Sequence, residues 1–329
     1  MSMEIVVTGS IAYDYLMRFP GKFREHLLAE NLAHISVSFL VDHMTRHYGG
    51  NGAAISYSMA LLGLRPRLMA TAGKDFTDYR DWLETAGVNT ASVQVLEDVF
   101  TASFFANTDE ENNQIASFYG GAMFRAHEFT LEQTVPIKPD YVVIAPNDPA
   151  AMHLLAAECH QRGIPFMFDP SQQLPRLNPD EVIYNIERCH TLIVNEYEWG
   201  MITAKTGLSV VDALKRVKVL IRTLGKKGAE IYANGEHYFI PVFPVPDDQI
   251  ADPTGVGDAF RSGVLCGMAH GWSWEITGRV ASLCAAYVLE KVGTQGHRYT
   301  PQQFVERFRS EFDDEGALDS LVKPHPAAV

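Results

Sequence analysis

A nine-residue run, Asp252-Pro253-Thr254-Gly255-Val256-Gly257-Asp258-Ala259-Phe260, concentrates the groups in this chain best suited to chemistry. It leads into a stretch of helical character, Phe260 to Ala269. Glycines at the mouth of a helix leave backbone N–H groups unshielded. With the helix dipole, those groups make a pocket for negative oxygen. A carboxylate placed there, Asp258, has two uses. It can cap the helix. It can also accept the proton of an incoming hydroxyl while the amides of Gly255, Val256 and Gly257 hold a transferring phosphoryl group. Spacing alone leaves both uses open.

Four shorter signals accompany it. Gly49-Gly50-Asn51-Gly52 opens a helical stretch of small and apolar residues that ends at Leu62-Gly63. A Gly-Gly pair lets a ligand approach the backbone, and it also serves a plain strand-to-helix turn. Asp14 stands just past the first strand, after Gly9-Ser10-Ile11-Ala12-Tyr13. An ionised carboxylate has only acceptors and can take two sugar hydroxyls; it equally suits a turn. Asn195-Glu196-Tyr197-Glu198 follows the apolar run Thr191 to Val194. Its oxygens with water suit Mg²⁺, and acidic residues also cap helices. Thr223-Leu224-Gly225-Lys226-Lys227-Gly228-Ala229 is by itself an ordinary Gly turn with solvated lysines. There is no GxxxxGK[ST] loop and no protein-kinase HRD or DFG set. A dinucleotide-binding oxidoreductase needs GxGxxG after the first strand, and Gly9-Ser10-Ile11 does not supply it.

These residues must be held at the ends of regular elements. Residues 4–9, Arg67 to Ala72, Tyr141 to Ala145, Pro165 to Phe168, Thr191 to Val194 and Val219 to Leu224 read as strands. Gly52 to Leu62, Phe76 to Ala86 and Ala150 to Arg162 read as helices, ended by Gly63, Gly87 and Gly163. The alternation predicts an α/β fold, a three-layer domain with a mostly parallel central sheet flanked by helices. Ligands of such sheets lie beyond the carboxyl ends of the strands. Two stretches interrupt the alternation. One is Tyr13 to Phe19 with Ile35 to Val41; the other is Thr101 to Ala106, a polar turn Asn107 to Asn113, and Gln114 to Tyr119. The second reads as a β-hairpin. The two form either an edge of the main sheet or a small β-sheet lid over a site. The expectation is one domain over 1–329, with lid segments at approximately 11–48 and 98–123. The tail from Asp313 is acidic and then Pro/Ala-rich, and is expected to fray.

With 47% hydrophobic residues, the chain is ample for a large core. Its formal net charge of −13 repels nucleic acid and anionic membrane, so neither is an expected partner. Local backbone dipoles can still hold phosphates. Cys159, Cys189, Cys266 and Cys284 form no CxxC pair and read as free buried thiols of a reducing compartment. No basic n-region with a long apolar stretch opens the sequence, and no run of 18 apolar residues occurs. A soluble cytoplasmic protein, monomer or homodimer, is expected.

The nine-residue run resembles the second signature of the PfkB, or ribokinase-like, family, usually Asp-Thr-Thr/Ser-Gly-Ala-Gly-Asp-Ala-Phe. Pro253 and Val256 depart from that form. Pro253 removes a backbone donor outside the Gly-rich part, and Val256 keeps its N–H. Gly49-Gly50-Asn51-Gly52 is similar to the first signature, with Ala54 where many members carry Asn. The segments at 195–198 and 223–228 are similar to the family's Asn-x-x-Glu and Thr-Leu-Gly-x-x-Gly motifs, and Val292-Gly293-Thr294-Gln295-Gly296 resembles its C-terminal loop. Five motifs stand in the family's order over nearly the whole chain.

This resemblance implies an ATP-dependent kinase acting on a hydroxyl of a sugar or nucleoside. It implies Asp258 as general base, with Gly255, Val256 and Gly257 as anion hole. It puts Asp14, Gly50 and Asn51 around the acceptor and Asn195, Thr223, Gly225 and Gly228 around the nucleotide. It puts Glu198 on Mg²⁺ through water, and Asp252 and Thr254, with the 292–296 loop, on a monovalent cation such as K⁺. Gly9 to Phe23, Ser117 to Met123, and Asp252-Pro253-Thr254 followed by Arg261 are most similar to prokaryotic adenosine or other nucleoside kinases. The 5′-hydroxyl of a nucleoside is thus the expected acceptor, with a free sugar as the alternative. A non-catalytic binding relative fits less well, because Asp258 and its glycines are intact. Asp169-Pro170-Ser171 is common to many members. Phe104, Phe105, Phe118 and Tyr119 would either stack on a base or pack the lid.

Overall fold

The computed structural model describes residues 3–27 and 36–322. Thirteen strands occur among the described residues: β1 (Ile5–Thr8), β2 (Ala12–Arg18), β3 (His43–Gly49), β4 (Arg67–Gly73), β5 (Asn89–Leu96), β6 (Ala102–Thr108), β7 (Gln114–Tyr119), β8 (Tyr141–Ile144), β9 (Phe166–Phe168), β10 (Thr191–Asn195), β11 (Val219–Thr223), β12 (Ala229–Ala233) and β13 (Glu236–Ile240). Nine form the main sheet in the order β13-β12-β11-β10-β9-β8-β1-β4-β5. All its pairings are parallel except β11 with β12 and β12 with β13.

The central strands are apolar along their whole length because both faces are covered. Alternate residues of β1 divide between two cores. Val6 packs with Met152, Leu155, Ile186 and Ile202 from helices on one side. Ile5 and Val7 pack with Ile55, Met59, Phe260 and Val264 on the other. The helices begin and end as their sequence dictates. In Pro149–Arg162, Asp148 accepts from the Ala151 N–H at 3.3 Å, proline fills the first turn, and Gly163 closes the end in the left-handed region.

The two interrupting stretches build a separate four-stranded sheet, β3-β2-β6-β7. The hairpin of β6 and β7 is antiparallel, as its sequence predicts, and β2 runs parallel to β6. The strand expected at Ile35 to Val41 is displaced. Ile35 lies outside the described residues, and 36–41 carry no strand. The strand is β3 instead, because β2 offers a seven-residue ladder that runs from Ala12 opposite Gly49 to Arg18 opposite His43. Residues 28–35 of the expected lid segment also lie outside the described residues.

The tail departs from expectation as well. Asp314 accepts from Arg309 Nε and Nη2, each at 2.9 Å, and from the Leu318 N–H at 2.8 Å. Leu318 is fully buried. This ion pair and apolar anchor hold residues 313–322 against the body; 323–329 lie outside the described residues. The four cysteines are free and buried. No helix of the described residues is long and apolar enough to cross a membrane.

Candidate active site

Helix Val256–His270 starts from Gly255, whose φ of 84° belongs to the left-handed region that favours glycine. A Cβ at Gly255 would also meet the Thr294 Cα at 2.9 Å. No side chain caps this helix. The Val256 N–H turns to the Pro253 carbonyl at 3.3 Å, whereas no acceptor among the described residues takes the N–H of Gly255, Gly257 or Asp258. The open donors of the glycine-rich turn are therefore those three. Val256 contributes only if it gives up a long bond.

Asp258 lies in the first turn and is 7% exposed. Asn51 Nδ2 donates to its Oδ1 at 2.9 Å and to its Oδ2 at 3.1 Å. Burial raises the Asp258 carboxyl above its ordinary value; Arg261 and then Asn51 oppose this, and Glu198 adds to it. Arg261 is buried one turn further on. Its Nη2 donates to Asp169 Oδ1 at 2.6 Å, and its Nε faces Asp169 Oδ2 as an ion pair rather than an aligned hydrogen bond.

Asn51 opens helix Asn51–Leu61 directly after β3, and Gly50 makes the turn at φ 88°. A Cβ on Gly50 would fall 2.6 Å from the Ser10 carbonyl oxygen, so only glycine lets β3 pass this close to the end of β1. Asn51 is anchored there by its own N–H, which donates to Ser10 Oγ at 3.1 Å. Ala54 is buried inside the same helix.

Asp14 is on the same small sheet, opposite His47 of β3 and Phe104 of β6. A side chain at Gly49 would run into its carboxylate. No hydrogen bond reaches that carboxylate among the described residues. Burial and then the like charge of Asp252 raise it from 3.8 to about 6. Opposed residues of a ladder share a face. Asp14, Phe104 and Phe118 therefore share one, since Phe118 pairs with Phe104. Phe105 lies on the other, stacked on Tyr15 with ring centroids 4.9 Å apart, and Tyr119 shares that other face. Of the four aromatics singled out from sequence, only Phe104 and Phe118 look the way Asp14 does.

Asn195 and Thr223 are ladder partners at the carboxyl ends of β10 and β11. Asn195 caps helix Glu196–Thr206 and is locked to Glu198. Glu198 Oε1 accepts from Asn195 Nδ2 and Oε2 from the Asn195 N–H, each at 2.8 Å. Both Glu198 oxygens are thus engaged, and no group of three His, Cys, Asp or Glu side chains among the described residues could hold a metal. Gly225 and Gly228 bound a short 3₁₀ turn after Thr223, closed by the Leu224 N–H on the Gly228 carbonyl at 2.8 Å. Asp252 accepts from the N–H of Thr254 at 2.8 Å and of Gly293 at 3.0 Å, so it ties the two loops together. Although burial works upward on Asp252, the Thr254 side chain and then these two amides prevail and lower its carboxyl. A separate groove of about 590 Å³ by Ala60, Arg65, Glu84 and Thr90 lies near the amino ends of β4 and β5 and holds none of these groups.

The residues that sequence reasoning missed are Gln172 and the functional weight of Arg261. Gln172 Nε2 donates to Asn51 Oδ1 at 2.7 Å across 121 residues. Only its place three residues after Asp169, in a stretch common to the resembled family, hints at this.

Comparison with known proteins identifies the family. Residues 5–300 match the family described as pfkB family carbohydrate kinase. The chain is 28% identical over 306 residues to a nucleoside kinase of Methanocaldococcus jannaschii, covering 92% of this chain and 96% of that one. It is similar in structure to a Burkholderia thailandensis nucleoside kinase in complex with inosine, with TM-score 0.82 and 35% identity over 94% of this chain and 98% of that chain. The same kinase in complex with ADP-inosine gives TM-score 0.80 and 37% identity over 94% and 96%. The chain belongs to the pfkB family of carbohydrate kinases.

Proposed function

We propose that this chain is an ATP-dependent nucleoside kinase that phosphorylates a primary hydroxyl, the 5′-hydroxyl of the nucleoside. The observation that carries the reading is a buried carboxylate, Asp258, at a helix start where the N–H groups of Gly255, Gly257 and Asp258 are open. Its nucleoside part is supported by the similar kinases of M. jannaschii and B. thailandensis, the latter in complex with inosine.

Asp14 and Gly50 place the sugar, and Phe104 and Phe118 offer faces to the base. Asp258 takes the proton of the attacking hydroxyl. The acceptor oxygen forms its bond to the γ-phosphorus, the bond from that phosphorus to the bridging oxygen breaks, and its electron pair leaves on ADP. The N–H groups of Gly255, Gly257 and Asp258 receive the negative charge of the transferring group. Asn195, Thr223, Gly225 and Gly228 line the nucleotide side. Mg²⁺ bound with ATP would supply neutralisation of phosphate charge. Glu198, whose two oxygens each accept from Asn195, would hold it through water. The four-stranded sheet serves as a lid over the acceptor and excludes water.

Asp252 and Thr254 with residues 292–296 are the candidates for K⁺. The fit is partial, because Asp252 already accepts two amides. Exchanging Na⁺ for K⁺ at constant ionic strength tests it, and equal turnover in both removes the role.

Steady-state kinetics with ATP decide the substrate class. Inosine, adenosine or cytidine should exceed ribose and fructose in kcat/KM. A preference for a free hexose or a sugar phosphate overturns the nucleoside reading and leaves the kinase one.

A further inference from the structure

We infer that Asn51 and Gln172 are positioning residues, a directional chain of two amides that orients Asp258 for proton transfer. The inference rests on Asp258 being the base.

The directions follow from donor and acceptor chemistry. An ionised carboxylate only accepts. Asn51 must therefore face Asp258 with its Nδ2, which reaches both carboxylate oxygens, at 2.9 and 3.1 Å. That choice leaves Asn51 Oδ1 pointing away and in need of a donor. Gln172 Nε2 supplies one at 2.7 Å. Gln172 belongs to the 3₁₀ turn Ser171–Arg176, and Ser171 before it has φ 38°, a conformation non-glycine residues rarely adopt. The segment also begins at Asp169, which holds Arg261 one turn past Asp258. Residues 169 to 172 thus support the base from two directions, through Arg261 and through Asn51. Asn51, placed around the acceptor by the sequence, makes this contact beside the proposed base.

The polarity of the chain gives a test that a structural role alone would not pass. Gln172→Glu puts an acceptor against Asn51 Oδ1. If Asn51 turns over, it presents that oxygen to Asp258. Either way one acceptor pair remains, and a proton on Asp258 relieves it. The acidic limb of the kcat–pH profile should move up by about one pH unit or more. Gln172→Leu should lower kcat only about 3- to 10-fold with the limb in place. Gln172 is exposed, so both variants should melt like the parent.

A carboxylate at 172 also acts by charge at a distance. The same substitution in an Asn51→Ala background separates the two effects. With the chain cut, Gln172→Glu should move the limb by its charge alone, clearly less than with Asn51 in place. Equal shifts in both backgrounds overturn the chain. So does an unmoved limb, or an effect confined to acceptor KM, which would make Gln172 a substrate contact. Asp258→Asn run alongside keeps the two readings apart. If it is inactive and the limb is unmoved by Gln172→Glu, the base stands and the chain falls. If it stays active, both fall.

Discussion

The guanidinium of Arg261 and the carboxylate of Asp169 form a buried ion pair under the glycine-rich turn, joining positions 92 residues apart. The turn rests on it closely: a Cβ on Gly257 would lie 2.7 Å from Arg261 Nη1. Burial raises the Asp169 carboxyl, and the guanidinium draws it back. Removing one partner leaves the other charged in the interior, which typically costs about 3–5 kcal/mol. Asp169→Asn and Arg261→Met should each lower Tm clearly. The double variant Asp169→Leu/Arg261→Met should recover much of that loss. Arg261 is also the leading opponent of the burial that raises Asp258. In Arg261→Met, assayed below its Tm, the acidic limb of kcat should therefore stand at higher pH than in the parent. An unmoved limb would mean that Arg261 does not tune Asp258.

Asp14 carries a second pH effect. Its carboxyl is raised to about 6, first by burial and then by Asp252. It accepts sugar hydroxyls fully only when ionised, so acceptor KM should fall as pH rises through about 6. A raised carboxyl binds its proton more tightly in the folded than in the unfolded chain. Its contribution to stability is complete below the ordinary 3.8 and is lost as pH climbs through about 6. Asp14→Asn should flatten the KM dependence, raise KM at about pH 8, and raise Tm there by a few degrees. A KM profile equal to the parent's would remove Asp14 from the acceptor site.

Much of this is legible in the sequence, because it depends on local rules. The apolar runs became β1, β4, β8, β9, β10 and β11, and Gly63, Gly87 and Gly163 closed the helices before them. What escaped was set by distant partners or by an overlooked turn. β3 reads His-Met-Thr-Arg-His-Tyr-Gly, too polar to announce a strand until β2 supplies its ladder. The β12–β13 hairpin had a visible signal in Asn234-Gly235, both at positive φ, the pair such turns favour. In the site, glycine and aspartate spacing exposed Asp258, because its role depends on its own helix start. Gln172 and Arg261 depend on contacts with Asn51 and Asp169, which no local pattern encodes.

The shared face of Asp14, Phe104 and Phe118 predicts where a base would bind. Phe118 is 53% exposed, so its truncation leaves no cavity. Stacking of a base on an aromatic ring is worth about 1–3 kcal/mol. Phe118→Ala should raise nucleoside KM by about 5- to 100-fold and leave ATP KM and Tm near the parent values. Phe105→Ala, on the opposite face, should change nucleoside KM little. Equal effects of the two would show that the sheet acts by its packing and not by one face.

Asp258 is the most demanding test. The acceptor hydroxyl has a high pKa, and its proton must leave as the bond to phosphorus forms. A positioned carboxylate orients the hydroxyl and accepts that proton, with a general-base contribution of about 10²–10⁴-fold. Asp258→Asn keeps the size of the side chain, and its oxygen can still accept from Asn51 Nδ2. It loses the negative charge and with it the ability to take a proton. We expect kcat to fall at least about 10²-fold with ATP affinity nearly unchanged. The stability consequence has a definite sign. Burial raises the Asp258 carboxyl, so its favourable share is present below the ordinary 3.8 and is lost as pH rises through the folded value. At neutral pH the variant, freed of a buried charge, should melt no lower than the parent. A lower Tm with specific activity preserved would make Asp258 a structural residue only. A well-folded variant with near-normal turnover would break the kinase mechanism itself, because the open N–H groups of Gly255, Gly257 and Asp258 would then hold charge with no base beside them.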